Sequence, residues 1–162
     1  MKINYCPYCG AKTNLIQLGD DLVYNCDFCH KHYNDFVYPC VIIACINKEN
    51  KVAIIKQSYG IKRSVLVAGF IKPKEYVEDA VKREILEELG LTATDIKYIN
   101  NYPMDTQDNI MLGFRANVSG NIKLSCEVEE VNFYTLEESL NILKDAHIAK
   151  SLIEDIINDK RL

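Results

Sequence analysis

GFIKPKEYVEDAVKREILEELGL, residues 69–91, is the stretch whose reading decides the fold. It runs as a glycine-containing turn, a helix and a glycine stop. Glu75, Glu78 and Asp79 place negative charge in or just before the first helical turn, where the helix dipole favours it. Val77, Val81, Ile85 and Leu89 recur every fourth residue and so lie on one stripe. Gly90 follows the last of them as a C-terminal stop. At about 100° per residue, Glu84 and Glu88 fall on one side, a turn apart, and Glu88 projects at the edge of the apolar stripe. A carboxylate turned inward is costly unless it is paired or binds a metal. Glu87 lies beside Glu84, and three acids within one turn repel each other. A hard divalent cation with oxygen ligands relieves both problems. Arg83 is expected to point the other way and to pair with Glu75 or Glu78.

A Glu-Glu pair alone is usually a solvated helix face. The whole pattern is more specific: Gly69, five residues, Glu75, seven residues, Arg83-Glu84-Ile85, one residue, Glu87-Glu88, one residue, Gly90-Leu91. At these positions the chain resembles the Nudix hydrolase family and matches every fixed position of its box. The resemblance implies an α/β fold, the Nudix α/β/α sandwich with a mixed sheet. It also implies that glutamates of the box hold Mg²⁺ or Mn²⁺ against a diphosphate that water cleaves. Glu84 and Glu88 become the expected metal ligands, joined by the backbone carbonyl of Ala68. Glu87 is either a ligand or the general base.

With 162 residues, the chain has room for one ordinary domain and a small appendage. A hydrophobic content of 48% and a charged content of 26% are those of a soluble globular protein. The net charge of -4 speaks against a nucleic-acid-coating role, though not against a nucleotide substrate whose metal supplies positive charge. No apolar run reaches membrane-spanning length, and MKINYCPYCG lacks the basic start and apolar run of a signal peptide. A cytoplasmic location with no membrane partner is the default expectation.

Residues 1–34 read as a separate unit. Cys6-Pro-Tyr-Cys9 and Cys26-Asp-Phe-Cys29 are two C-x-x-C knuckles with sixteen residues between them, the spacing of a tetrahedral zinc site with four cysteine ligands. Residues 15–18 and 22–24 read as a hairpin turning at Gly19-Asp20-Asp21. So short a segment buries little, and a structural Zn²⁺ would supply most of its folding energy. The competing redox reading lacks a βαβ context and does not need two pairs. His30 and His32 are read as solvated or hydrogen-bonded, and His147 as a surface helix residue.

A linker over 35–39 leads to a domain over 37–162. Buried strands are expected at 41–46 and 52–55 around a turn at 47–50, and another at 64–68 entering the box after a polar loop at 57–63. Strands follow at 96–102, 110–118 and 131–134. Thr135 and Glu138 form a capping box for a helix over 136–143, and a last amphipathic helix covers 148–157.

A zinc ribbon directly before a Nudix domain resembles the NADH pyrophosphatase (NAD diphosphatase) branch. Pro39-Cys40, Val67-Ala68-Gly69-Phe70 and the segment from Glu127 to Tyr134 carry the likeness, the last resembling an E-x-x-E-A-x-W array. The branch implies Glu130 as a further metal ligand and a homodimer. Two departures stand out. The branch's SQPWPFPxS array corresponds here to residues 101–109, where Pro103 is kept and the Trp and Phe are absent. With Cys6 only five residues from the start of this chain, the domain that precedes the ribbon in that branch is expected to be absent. Phe70, Tyr102 and Met104 are the candidate pocket residues. The expected activity is metal-dependent hydrolysis of a nucleoside diphosphate linked to another moiety. NAD(H) or a related dinucleotide such as ADP-ribose comes first, and NAD-capped RNA is a further candidate. The alternative is a non-catalytic nucleotide sensor or a nucleic-acid-binding module gripping through the ribbon.

Overall fold

The computed structural model describes residues 2–60, 62–104 and 108–159. The chain divides into two compact units, Met1–Tyr38 and Pro39–Leu162. The first is a three-stranded antiparallel sheet of β1 (Asn14–Leu18), β2 (Asp21–Cys26) and β3 (Lys31–Tyr33), in that order. Leu18 pairs with Asp21, so the hairpin turn is Gly19-Asp20 alone, with Gly19 at φ 63°. Asp21 belongs to the strand, one residue earlier than the sequence suggests. Among the described residues, this unit buries only Ile3, Cys6, Val23, Tyr24 and Cys26, while Tyr5, Tyr8, Leu15, Leu22 and Phe28 stay exposed. That is too little apolar burial to hold such a sheet without a staple.

The second unit contains β4 (Tyr38–Ile46), β5 (Val52–Gln57), β6 (Ser64–Val65), β7 (Val67–Phe70), α1 (Val77–Leu89), β8 (Thr92–Pro103), β9 (Asn109–Ser119), β10 (Val128–Tyr134), α2 (Leu136–Ile142) and α3 (His147–Asn158). The sheet runs β10-β5-β4-β9-β8, with β6 on β5 and β7 on β4. Strand alternation explains the layers. Val41, Ile43 and Cys45 of β4 and Ala53 and Ile55 of β5 pack with Ala80, Val81, Ile85 and Leu89 of α1. Their neighbours Ile42, Ala44, Ile46, Val52 and Ile54 pack on the other face with Leu152, Ile153 and Ile156 of α3. The result is the expected α/β/α sandwich with a mixed sheet. No helix among the described residues is long and apolar enough to cross a membrane.

Residues 64–68 do not form the single strand expected. β4 and β5 pair at Ile46↔Val52 beside a turn in which the Asn47 side chain accepts two backbone N–H groups. They then part, and the incoming chain fills the gap. Ser64 and Val65 pair with β5, the chain changes partner at buried Leu66, and Val67 to Phe70 pair with β4. The switch brings Ala68 and Gly69 under α1. Gly90 ends α1 at φ 70°, donating to the Leu86 carbonyl. The last carbonyls of the helix are met by the N–H groups of Lys123 and Ser125, which bond Leu89 and Glu88 at 2.8 and 3.2 Å. The capping box at Thr135 and Glu138 forms as read.

Candidate active site

α1 turns two of its acids inward. Glu84 and Glu88, one helical turn apart, are each only 8% exposed. Oε2 of Glu88 is buried with no hydrogen-bond partner. Burial pushes the Glu88 carboxyl up to about 8, helped by the charge of Glu84, while a backbone hydrogen bond from Ala68 works against the shift. Burial also raises Glu84, with the neighbouring Arg83 opposing it. A Cβ at Gly69 would collide with the Glu84 carboxyl group, so glycine there leaves that carboxyl its place against β7.

Arg83 does not turn away from the acids. It bonds Glu75 as the sequence suggests, through Nε at 2.7 Å and Nη2 at 3.0 Å. It also donates to the Phe70 carbonyl at 2.8 Å, to Glu87 at 3.1 Å and to Glu84. The Glu75 carboxyl is held down to about 2 by the Arg83 hydrogen bonds and the Lys72 amide. The arginine thus latches the loop between β7 and α1 to the helix and spreads positive charge along its acidic edge. Glu87 sits on the exposed side of this array, 3.6 Å from Lys72 Nζ.

Two inward carboxylates, one with an orphaned buried oxygen, fit a hard divalent cation, whose charge and open coordination would satisfy both. The Ala68 backbone lies against them. The third box acid is tied to Arg83 and Lys72 instead.

Glu130, the expected fourth acid, is not brought to this cluster. β10 has a register shift between Val128 and Glu130. Beyond it, Val131 and Phe133 face α1, whereas Tyr134 packs in the α3 cluster. Glu130 therefore takes the α3 side, where it accepts from Asn132 at 2.6 Å and lines a depression with Ile54, Tyr134 and Ile142. The acid of this segment whose charge adds to the upward shift of Glu88 is Glu127. It is the first glutamate of the same E-x-x-E array, a signal the sequence carried. Tyr59 was also missed. Ser58 bonds the carbonyls of Glu127 and Cys126 at 2.9 and 2.6 Å, and the Tyr59 hydroxyl feels Glu127, Glu88 and Glu84.

The three candidate pocket residues do not converge. Phe70 is exposed at the end of β7. Tyr102 donates to Asp155 of α3 at 2.6 Å, and its ring packs over Gly113 in the α3 cluster with Met104 nearby. Residues 105–107 of the same loop lie outside the described residues.

In the first unit, the sulfurs of Cys6, Cys9, Cys26 and Cys29 lie within 4.8 Å of one another, the one such cluster of three or more His, Cys, Asp or Glu ligand atoms among the described residues. Two matching turns build it. Gly10 N–H bonds the Cys6 carbonyl and His30 N–H bonds the Cys26 carbonyl, at 2.9 and 2.8 Å, with Gly10 and His30 both at positive φ. All four thiols are free of disulfides. Four converging sulfurs fit a tetrahedral Zn²⁺. Burial raises Cys6, but hydrogen bonds from Tyr33 and from the Cys9 and Tyr8 backbone outweigh it and hold the thiol down to about 6.

An α/β/α sandwich whose central helix turns glutamates against a glycine-bearing strand is the architecture of a Nudix hydrolase, and the chain belongs to that family: the NUDIX domain profile matches residues 38–156. Among curated proteins it is similar to the NAD-capped RNA hydrolase NudC of Vibrio cholerae serotype O1, 28% identical over 160 residues, covering 97% of this chain and 58% of that protein. The NudC of Salmonella agona is 29% identical over 163 residues, 94% of this chain and 60% of that protein. The chain thus spans about three-fifths of the length of these relatives. Among solved structures, a Nudix hydrolase from Nitrosomonas europaea superposes with a TM-score of 0.70 at 26% identity, over 86% of this chain and 82% of that one. The MutT protein from Methanosarcina mazei Go1 shares the fold, with a TM-score of 0.63 at 23% identity over 79% and 99% of the two chains.

Proposed function

We propose that the chain is a Mg²⁺- or Mn²⁺-dependent pyrophosphohydrolase acting on a nucleoside diphosphate linked to another moiety, with NAD(H) or a related dinucleotide such as ADP-ribose as substrate. The observation that carries this reading is Glu88: a buried carboxylate with an unpaired oxygen, one turn from Glu84, whose own carboxyl lies against Gly69. A stable fold retains such a group at a cost, and metal-assisted hydrolysis supplies a use for it. The relatives named as NAD-capped RNA hydrolases support the dinucleotide class and add the NAD cap of RNA to the candidates.

Glu84, Glu88 and the Ala68 carbonyl would hold the metal, with Glu127 completing the acidic set in place of Glu130. A bound dication would neutralise the diphosphate and lower the pKa of the attacking water. Glu87, exposed and reached by Arg83, serves as an outer ligand or takes the proton of that water. Arg83 holds the box loop in place. Residues 1–34 form a zinc ribbon and 37–162 the hydrolase domain. A cytoplasmic homodimer fits the composition and the resemblance.

The test is product release from NADH, NAD⁺, ADP-ribose, NAD-capped RNA and nucleoside triphosphates with Mg²⁺ or Mn²⁺, with Glu88→Gln as control. Selective cleavage of one diphosphate, lost in Glu88→Gln, is the expected result. Binding without turnover of any of them would overturn the enzyme reading in favour of a nucleotide sensor.

A further inference from the structure

Four thiolates around one Zn²⁺ leave roughly two negative charges on the sulfurs, and this excess has to be met by hydrogen-bond donors. In this chain the donors are unequal. Cys6 is 3% exposed, and the Tyr33 hydroxyl lies 3.1 Å from its sulfur. The other three cysteine sulfurs have no side-chain partner except one another among the described residues. Tyr33 stands 27 residues further along the chain, on β3, the last strand of the sheet. It pairs across the sheet with Tyr24, whose hydroxyl bonds Asp35 and no cysteine.

We propose that Tyr33 is a positioning residue of the cysteine metal site, donating its hydroxyl hydrogen to the metal-bound Cys6 thiolate. This rests on the reading of the four cysteines as a zinc site. A metal-bound thiolate carries no proton, so the phenol must be the donor and the sulfur the acceptor. The bond withdraws charge from the sulfur, orients Cys6 toward the ion, and ties the end of the three-stranded sheet to the first knuckle. It also makes the sulfur a weaker nucleophile, because nucleophilicity falls with basicity. The four sulfurs are therefore inequivalent, and Cys6 is the one whose reactivity toward electrophiles and oxidants a phenol hydrogen bond lowers.

The experiment uses the full chain with its metal exchanged for Co²⁺, comparing the unmodified protein with Tyr33→Phe and with Tyr24→Phe as the matched loss of a hydroxyl. The expected result is that Tyr33→Phe moves the sulfur-to-cobalt charge-transfer band to lower energy, and that alkylation of the zinc form by iodoacetamide speeds up roughly 10-fold, while Tyr24→Phe leaves both unchanged. In the ¹¹³Cd form of the unmodified chain, a scalar coupling between the metal and the Tyr33 hydroxyl proton reports the same bond without depending on how the variant folds. Bands that do not move in Tyr33→Phe, together with no such coupling, would sink the role of Tyr33 alone. Lack of intense tetrahedral cobalt–thiolate bands in the unmodified chain would sink the metal site, and the role of Tyr33 with it.

Discussion

A glutamate 8% exposed, with one carboxyl oxygen unpaired, lowers stability unless it is protonated or bound to a cation. Without metal, Glu88 meets this by keeping its proton, with its carboxyl pushed up to about 8 from the ordinary 4.5. The native state then holds a proton that the unfolded chain has already released between those two values. The contribution of Glu88 to the stability of the metal-free protein is therefore fully present below about pH 4.5 and is lost as pH rises through about 8. Urea titrations with a chelator present should show this slope, and Glu88→Gln should flatten it. The same substitution should leave the metal-free fold as stable or more so, while cutting turnover more than about 100-fold, beyond what loss of an outer-shell partner of a metal costs. Preserved activity in Glu88→Gln would remove it from the metal site. Glu127 and Glu130 offer a second comparison at this scale. Glu127→Gln should impair turnover far more than Glu130→Gln, and the reverse order would restore the residue that the resemblance suggested.

At the scale of elements, the site depends on a strand that changes partner and a helix held at both ends. Gly90 is at φ 70°, and a Cβ there would press on Lys123, whose amide caps the helix. Gly90→Ala should cost about 1–3 kcal/mol, read from denaturant unfolding. Arg83 binds the opposite end, joining the Phe70 carbonyl to Glu75, Glu84 and Glu87. Arg83→Ala should lower kcat/KM with little change in far-UV circular dichroism, because it frees a loop and its acids without opening the core. The helix itself was legible in the sequence, from Val77 to Leu89, because its apolar spacing, acidic start and glycine stop are local signals. The break at Leu66 was not legible. Residues 64–68 read as one apolar run, and only the parting of β4 and β5 determines that the run serves two partners.

For the whole molecule, the two units are stabilised by different means. The second has two buried layers of aliphatic side chains, while the first buries a handful of residues around its sulfurs. Removing the Zn²⁺ proposed at the four cysteines should therefore abolish hydrogen-exchange protection in residues 1–34 and leave the sheet and helices of the second unit protected. Protection that persists in the first unit after complete metal removal would show that its sheet stands on packing alone. Substrate choice also belongs to this scale. Tyr102 was a candidate pocket residue, but its hydroxyl is committed to Asp155 and its ring to the α3 cluster. Tyr59, on a loop fastened to Cys126 and Glu127, is exposed and has its hydroxyl pKa raised by burial and by the charges of Glu127, Glu88 and Glu84.

The sequence by itself determined the family, the helix with its inward glutamates, the paired cysteines and the capping box, because each is written in residues a few positions apart. The spacing of Glu84 and Glu88 places them on one helix face wherever that helix packs, and two C-x-x-C turns present their sulfurs alike. Only the tertiary structure decided that Glu130 takes the α3 side of β10, that Arg83 embraces the acids, and that Tyr33 meets Cys6. Each of these joins segments distant in the chain or depends on a one-residue shift in strand register. Such a shift sends a side chain to the opposite face of a sheet, and no local pattern announces it.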